Sequence, residues 1–276
     1  MNNQQLNDIK ELQLLCEKED KIQLKLNWEM LKSRKEKDEM DFYHYEDGSL
    51  VGFLAIYQFG NKYEICGMVN PGNRNRGIFT SLFNQALKVI PHEAKEILLN
   101  TPANAEAARN WLQTKACDYS FSEYQMKWVP VQLEVKQPIV RLRKAGPSDL
   151  ETQIKLDIEC FEYDPAGARD FNENNGYSES KVSYMIEVES EVVGKIGIQR
   201  DENESYIYGF AIFPEFQGKG YGRNALIQTV LAEKKTEGVI LLEVAAENKN
   251  ALKLYEECGF YSYEVQDYYQ FNRVRG

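Results

Sequence analysis

Residues 214–226 read PEFQGKGYGRNAL, with Gly218, Gly220 and Gly222 at alternate positions behind Pro214. Before the run lies SYIYGFAIF (205–213), rich in the aromatic and branched residues that favour strands. After it, RNALIQTVLAEKKTEG (223–238) sets Ala225, Leu226, Thr229, Val230 and Ala232 on one helical face. A strand, a glycine corner and a helix start form a natural anion site. The first-turn N–H groups lack partners there, and the helix dipole adds roughly half a positive charge. Glycine permits positive φ and removes the Cβ that would hold a ligand off the backbone. Lys219 and Arg223 add positive charge. The competing reading is a plain tight turn, because short glycine patterns recur by chance.

Two phosphate motifs are excluded by spacing. Lys219 is followed by Gly220 and not by Ser or Thr, so the run is no Walker A loop. The glycines stand as G-x-G-x-G, which is not the dinucleotide fingerprint.

The corner has a faded copy. Pro214 is matched by Pro71, 143 residues earlier, in NPGNRNRGIFTSLF (70–83). VGKIGIQR (193–200) matches VGFLAIYQF (51–59) at an offset of 142. VILLE (239–243) matches EILLN (96–100) at 143, and Asn248 pairs with Asn104 at 144. Four landmarks in one order define a duplicated unit of domain size. Pro130 and Pro138 punctuate the junction, and the expected domains are 1–136 and 137–276. In the copy, Asn75 and Phe79 replace Gly218 and Gly222. The corner alone therefore does not require three glycines, and the extra two are expected to answer to a phosphate.

Composition limits the alternatives. The chain has 276 residues, 43% hydrophobic, with a formal charge of −10, which argues against a nucleic-acid surface. The five cysteines form no CxxC pair, and His44 and His92 are the two histidines, so neither a metal centre nor a histidine-based triad is expected. The N-terminal stretch lacks a continuous apolar core and no segment approaches the roughly 20 apolar residues of a membrane span. The expectation is a soluble, cytoplasmic protein. In the second half, strand (139–145), helix (147–161), hairpin (184–200), strand, glycine corner, helix, strand (239–245), helix (248–259) and closing strands (260–271) predict an α+β sheet flanked by helices.

The run Gln217-Gly218-Lys219-Gly220-Tyr221-Gly222 resembles the Q/R-x-x-G-x-G/A signature of the GCN5-related N-acetyltransferases, the GNAT superfamily. Farther on, Asn248-x-x-Ala251-x-x-Leu254-Tyr255-x-x-x-Gly259-Phe260 resembles that family's second hallmark. The resemblance covers the second half and, more weakly, the first. It implies two tandem GNAT-like domains, each a mixed, mostly antiparallel twisted sheet flanked by helices, the first of them degenerate. It implies acetyl-coenzyme A as co-substrate, with no metal, and direct attack by a primary amine of a small-molecule or peptide acceptor. Gln217, Gly218, Lys219, Gly220, Tyr221, Gly222 and Arg223 would then hold the pyrophosphate, and Ile212 and Phe213 the pantetheine arm. Tyr255 would be the general acid, and Asn248 would contact the cofactor region or simply cap its helix.

The base is the open position. Where the family often carries a carboxylate, the strand has Tyr208 and Gly209; Glu243 inside VILLEVA, Glu204 or a chain of waters remain. In the first half Trp111 is paired with Tyr255 and has no phenol, so that half reads as structural or substrate-shaping. The acidic residues of 161–183 (Glu162, Asp164, Asp170, Glu173, Glu179) are compatible with a cationic acceptor. The alternative function is a non-catalytic acyl-coenzyme A-binding sensor or scaffold.

Overall fold

The computed structural model describes residues 1–35, 38–134, 137–175, 180–201, 203–236 and 238–273. The expected domain junction at Lys136 and the loop residue Glu179 lie outside them. The chain forms two compact units, Met1–Ser122 with Glu264–Gly276, and Glu123–Tyr263. In chain order the elements are α1 (Asn3–Asp20), α2 (Trp28–Ser33), β1 (Asp41–Glu46), β2 (Ser49–Phe59), β3 (Lys62–Val69), α3 (Ile78–Val89), β4 (Glu96–Pro102), α4 (Glu106–Leu112) and β5 (Cys117–Trp128). The second repeat follows with β6 (Arg141–Lys144), α5 (Leu150–Phe161), α6 (Pro165–Asn175), β7 (Lys181–Val188), β8 (Glu191–Asp201) and β9 (Glu204–Ile212). It closes with α7 (Tyr221–Glu233), β10 (Val239–Ala245), α8 (Lys249–Glu257) and β11 (Phe260–Phe271).

In the first unit β1, β2 and β3 are antiparallel neighbours, and β4 runs parallel to β3. Strand β2 is buried along most of its length because both faces are covered, which is why it reads as an unbroken apolar run. Helix α1 lays Ile9, Leu12 and Cys16 on the face carrying Phe53, Ala55, Cys66 and Met68. On the other face α3 packs Ile78, Leu82, Phe83 and Ala86 against Leu54, Ile56, Ile65 and Leu99. The far side of β4 is closed by the end of β11, Leu98 opposite Gln270 and Pro102 opposite Gln266.

The second unit repeats this plan: β6 to β9 are antiparallel and β10 is parallel to β9. Its β10 is closed by the end of β5, Leu241 opposite Lys127 and Ala245 opposite Glu123. Each repeat thus supplies the last strand of the unit built from the other repeat. Helix α5 sets Leu156 against Met185, Ala211 and Phe213, while α7 and α8 cover the opposite face.

Two local features position the site. The parallel pairing ends after four residue pairs in both units, at Ile65–Leu99 and at Leu242–Ile207, and the strands run on beyond it. Strand β3 keeps an unbroken register with β2 from Ile56–Ile65 to Gly52–Val69. Strand β9 does not. Lys195 faces Ala211 and Gly197 faces Tyr208, so Gly209 and Phe210 together oppose Ile196. This is a bulge with Gly209 at φ +54°. The inserted residue explains why the repeat offset changes from 142 to 143 inside this strand. Among the described residues no helix is long and apolar enough to cross a membrane.

Tyr268, 1% exposed in β11, stacks on Phe121 at 4.4 Å and accepts a hydrogen bond from Lys25 at 2.7 Å. Tyr268→Ala should destabilise the first unit by about 3–5 kcal/mol. Hydrogen exchange should quicken in β2 and β3 while β8 keeps its protection, although position 268 belongs to the second repeat.

Candidate functional site

The glycine corner of the second unit follows the end of β9. Gln217 donates its side-chain amide to the Ile212 carbonyl at 2.8 Å, pinning the turn to the strand end. Gly218 and Gly220 stand at φ +74° and +81°, and α7 starts at the next residue, Tyr221. A Cβ at Gly218 would touch nothing within 4 Å. Its glycine answers to the left-handed backbone, not to crowding.

The first unit keeps the same frame. Arg74 donates to the Val69 carbonyl at 3.2 Å, Asn75 stands at φ +62° and Gly77 at φ +77°. Asparagine tolerates the conformation that Gly218 adopts, so that glycine needs no ligand to account for it. The expectation drawn from the extra glycines therefore narrows to Gly222. A Cβ there would make ordinary contacts with Ile212 and Phe210 at 3.5 Å and Leu254 at 3.8 Å. In the first unit that place holds Phe79, whose ring meets Trp111 edge-on at 4.7 Å.

The charges around the two corners also differ. Arg74 is held by Asp20 through two bonds of 2.8 and 2.6 Å, and Arg76 by Glu46 at 2.9 Å. Lys219 lies 5.0 Å from the Phe216 ring centre and has no ion pair among the described residues. Arg223 pairs with Glu257 at 2.6 Å. Among the described residues, the second corner therefore presents an uncommitted cation at the start of α7, whose N-cap Gly220 supplies no side-chain cap.

Tyr255 in α8 is 7% exposed, with Phe210 and Phe260 ring centres 6.4 and 6.1 Å away. Its hydroxyl has no hydrogen-bond partner among the described residues, and burial raises it well above the ordinary phenol value. It is a neutral donor through physiological pH. Asn248 accepts from the Ala251 amide at 3.0 Å, so its side chain caps α8. Glu243 is half-buried and accepts from Gln125 at 3.3 Å. Alternation along β10 puts it on the face opposite Ile240, Leu242 and Val244, which enter the core under α7 and α8.

The pairing of Asn104 with Asn248 is corrected. Ala105 receives the turn from Pro102 and opens α4 with bonds of 3.0 Å to Pro102 and from Arg109. Asn248 does the same with Ala245 and Leu252 at 2.9 and 3.0 Å. The turn leaving the strand sets the helix start, whichever residue stands there. Leu112, not Trp111, occupies the place of Tyr255, and the first unit still lacks a phenol. Trp111 instead donates its indole N–H to Thr80 at 2.9 Å.

A cavity of about 680 Å³ opens in the first unit, lined among others by Cys16, Arg74, Phe79, Asn100 and Trp111. The Asn100 Oδ1 is buried without a partner among the described residues, and burial pushes the Cys16 thiol up to about 11, which keeps it inert. The second unit has a cavity of about 20 Å³ at the bulge, bordered by Gln153, Asn172, Lys195, Tyr208 and Gly209. Sequence reasoning missed this cluster. Two signals pointed to it: the slip in repeat offset, and a lysine in a strand where the first repeat has Phe53. In the acidic loop, Glu173 pairs with Arg169 at 3.3 Å and Asp164 accepts from the Gly167 amide at 3.0 Å.

The family model described as "Acetyltransferase (GNAT) family" matches residues 6–119 and again 150–260. The chain therefore belongs to the GNAT acetyltransferase family and carries its domain twice. It is 34% identical over 83 residues, 28% of its length, to 53% of an uncharacterized N-acetyltransferase, YycN, of Bacillus subtilis. The chain spans about half or less of the length of the curated relatives it matches. In fold it resembles a GCN5-related N-acetyltransferase from Sphaerobacter thermophilus, with a TM-score of 0.74 and 16% identity over 95% of this chain and 91% of that one. It also resembles a tandem GNAT protein of the clavulanic acid biosynthesis pathway, with a TM-score of 0.61 and 14% identity over 83% and 81% of the two chains.

Copying the first corner into the second separates conformation from ligand. Gly218→Asn should cost under about 0.5 kcal/mol, whereas Gly220→Ala should cost about 1–2 kcal/mol because alanine resists positive φ. Chemical denaturation of the two variants measures both.

Proposed function

We propose that the second unit transfers an acetyl group from acetyl-coenzyme A to a primary amine of a small-molecule or peptide acceptor by direct attack. The observation that carries this reading is the Gly209 bulge at the fork between β9 and β10, which the first unit lacks. A bulge takes backbone groups out of the ladder, and at a fork they face no neighbouring strand. Such fixed N–H groups are suited to an oxygen on which negative charge develops.

The corner fits the co-substrate: two left-handed glycines, an uncommitted Lys219 and a helix start lie within a few residues. When bound, acetyl-coenzyme A supplies an activated thioester. The amides of Gln217 to Gly222 hold its phosphates, and the free edge of Ile212 and Phe213 lies along its amide arm. Glu243 takes the proton that the acceptor amine loses, and the Tyr255 hydroxyl gives a proton to the departing sulfur. The two groups occupy opposite faces of the sheet, so the proton donor and acceptor do not neutralise each other.

A second reading concerns the first unit alone. Its cavity of about 680 Å³, with the unpartnered Asn100 oxygen inside, favours binding of an acyl-coenzyme A without transfer. Calorimetric titration distinguishes one site per chain from two.

Acetyl-coenzyme A should raise the melting temperature, and Gly222→Phe, copying Phe79, should abolish the part of the shift due to the second unit. Tyr255→Phe should lower kcat more than about tenfold with little change in cofactor affinity. Because burial raises the Tyr255 pKa, the acid stays protonated as pH rises, and it should cause no loss of kcat below pH 10. An unchanged rate in Tyr255→Phe would remove it as the acid. Absence of free-thiol release across an amine panel would remove the transfer reading.

A further inference from the structure

Beneath the bulge, the second unit buries an ion pair. Lys195 of β8 is 4% exposed and Asp157 of α5 is 1% exposed, with 2.6 Å between Nζ and Oδ1. The second carboxylate oxygen accepts from Asn172 of α6 at 2.6 Å. The first unit serves as an internal control. Cys160 donates to the Ile212 carbonyl at 3.5 Å and Cys16 to the Val69 carbonyl at 3.4 Å, which aligns α5 with α1. Asp157 then corresponds to Gln13, and Lys195 to the fully buried Phe53. Trp28 donates to Gln13 at 3.0 Å, as Asn172 does to Asp157. The same scaffold closes with a phenyl ring and a neutral amide, so packing does not require the two charges. Burying them carries a desolvation cost that hydrocarbon avoids.

What the pair adds is a hydrogen-bond donor. The Lys195 ammonium has three N–H groups. Asp157 takes one, the Gln153 carbonyl another at 3.4 Å, and the third has no partner among the described residues. Lys195 borders the cavity of about 20 Å³ with Tyr208, Gly209, Gln153 and Asn172. About 10–15 Å³ is enough for one water, and hence for one oxygen atom. The bulge lies directly above, since a Cβ added at Gly209 would stand 4.0 Å from Lys195 Cε. A buried ammonium N–H calls for an acceptor. Charge selects its kind. Lys195 and Asp157 already cancel, so a carboxylate would leave a buried negative charge uncompensated, whereas a neutral oxygen would not.

We propose that Lys195 determines acceptor specificity by donating to the carbonyl oxygen of an amide adjacent to the amine that is acetylated. The substrate class is amino amides, in preference to amino acids or plain alkylamines. This rests on the reading that places transfer at the bulge of the second unit.

The test compares glycinamide, glycine and propylamine as acceptors, with rates corrected for the fraction of free amine. Glycinamide should exceed both others in kcat/KM by more than about tenfold. In the double variant Lys195→Phe/Asp157→Gln, which copies the first unit, the ratios should fall to within about threefold. A general loss of structure would lower all three rates and leave the ratios in place. Equal rates in the unaltered protein, a preference for glycine, or ratios that survive in the double variant would each overturn the proposal. If the double variant does not fold, the ratios in the unaltered protein decide. If no acceptor is acetylated, the transfer reading falls, and calorimetry with glycinamide decides the rest. Binding to the unaltered protein that exceeds binding of propylamine supports the donor role, and equal or absent binding overturns it.

Discussion

Two parallel strands that part company leave backbone amides and carbonyls facing one another across a gap too wide to bridge. Such groups are costly unless something satisfies them. In this chain the parting comes after four residue pairs in each unit, and the elements that carry the proposed site of the second unit flank it. The corner that starts α7 lies at the end of one strand, and the helix carrying Tyr255 starts from the end of the other. The fork also joins the two faces of the sheet. Glu243 belongs to one face and Tyr255 to the other.

Because the fold is written twice, each copy shows what the other needs for folding alone. Left-handed backbone at two corner positions, a side chain clasping the last strand carbonyl, and a helix thiol bonded to that same carbonyl recur in both. These belong to the architecture. The bulge, the side-chain-free Gly222, the uncommitted Lys219 and the buried Lys195–Asp157 pair occur in the second unit, where the first has a regular strand, Phe79, an Arg76 bound to Glu46, and Phe53 and Gln13 in the corresponding positions. Function is most economically sought in that second set.

Local patterns carried well from sequence to structure. The strand, corner and helix around residues 214–226 were legible because φ preferences and apolar periodicity act over a few residues. The duplication was legible for the same reason, being a recurrence of short patterns at one spacing. The bulge was written in the sequence as a change of offset from 142 to 143, but one residue carries no pattern of its own. The slip from Ala105 to Asn104 arose from matching residue names where the turn geometry decides. The partner of Lys195 was not legible, because the residues around it come from α5, α6 and β8, and only the packing of helices on the sheet brings them together.

The strand that completes the first unit also has a temporal side. Residues 266–270 pair with 98–102, so well over a hundred residues separate the partners along the chain. Loop closure over such a span opposes early pairing and slows folding. During synthesis, β1 to β4 emerge long before β11 exists, with one edge of β4 waiting uncovered. An open edge of that kind invites pairing with another nascent chain. The second unit has no such delay, since its borrowed strand β5 is made first. The ribosome thus delivers the unit with the bulge in a state able to close on itself, while its older sibling in the chain must wait for the last strand to arrive.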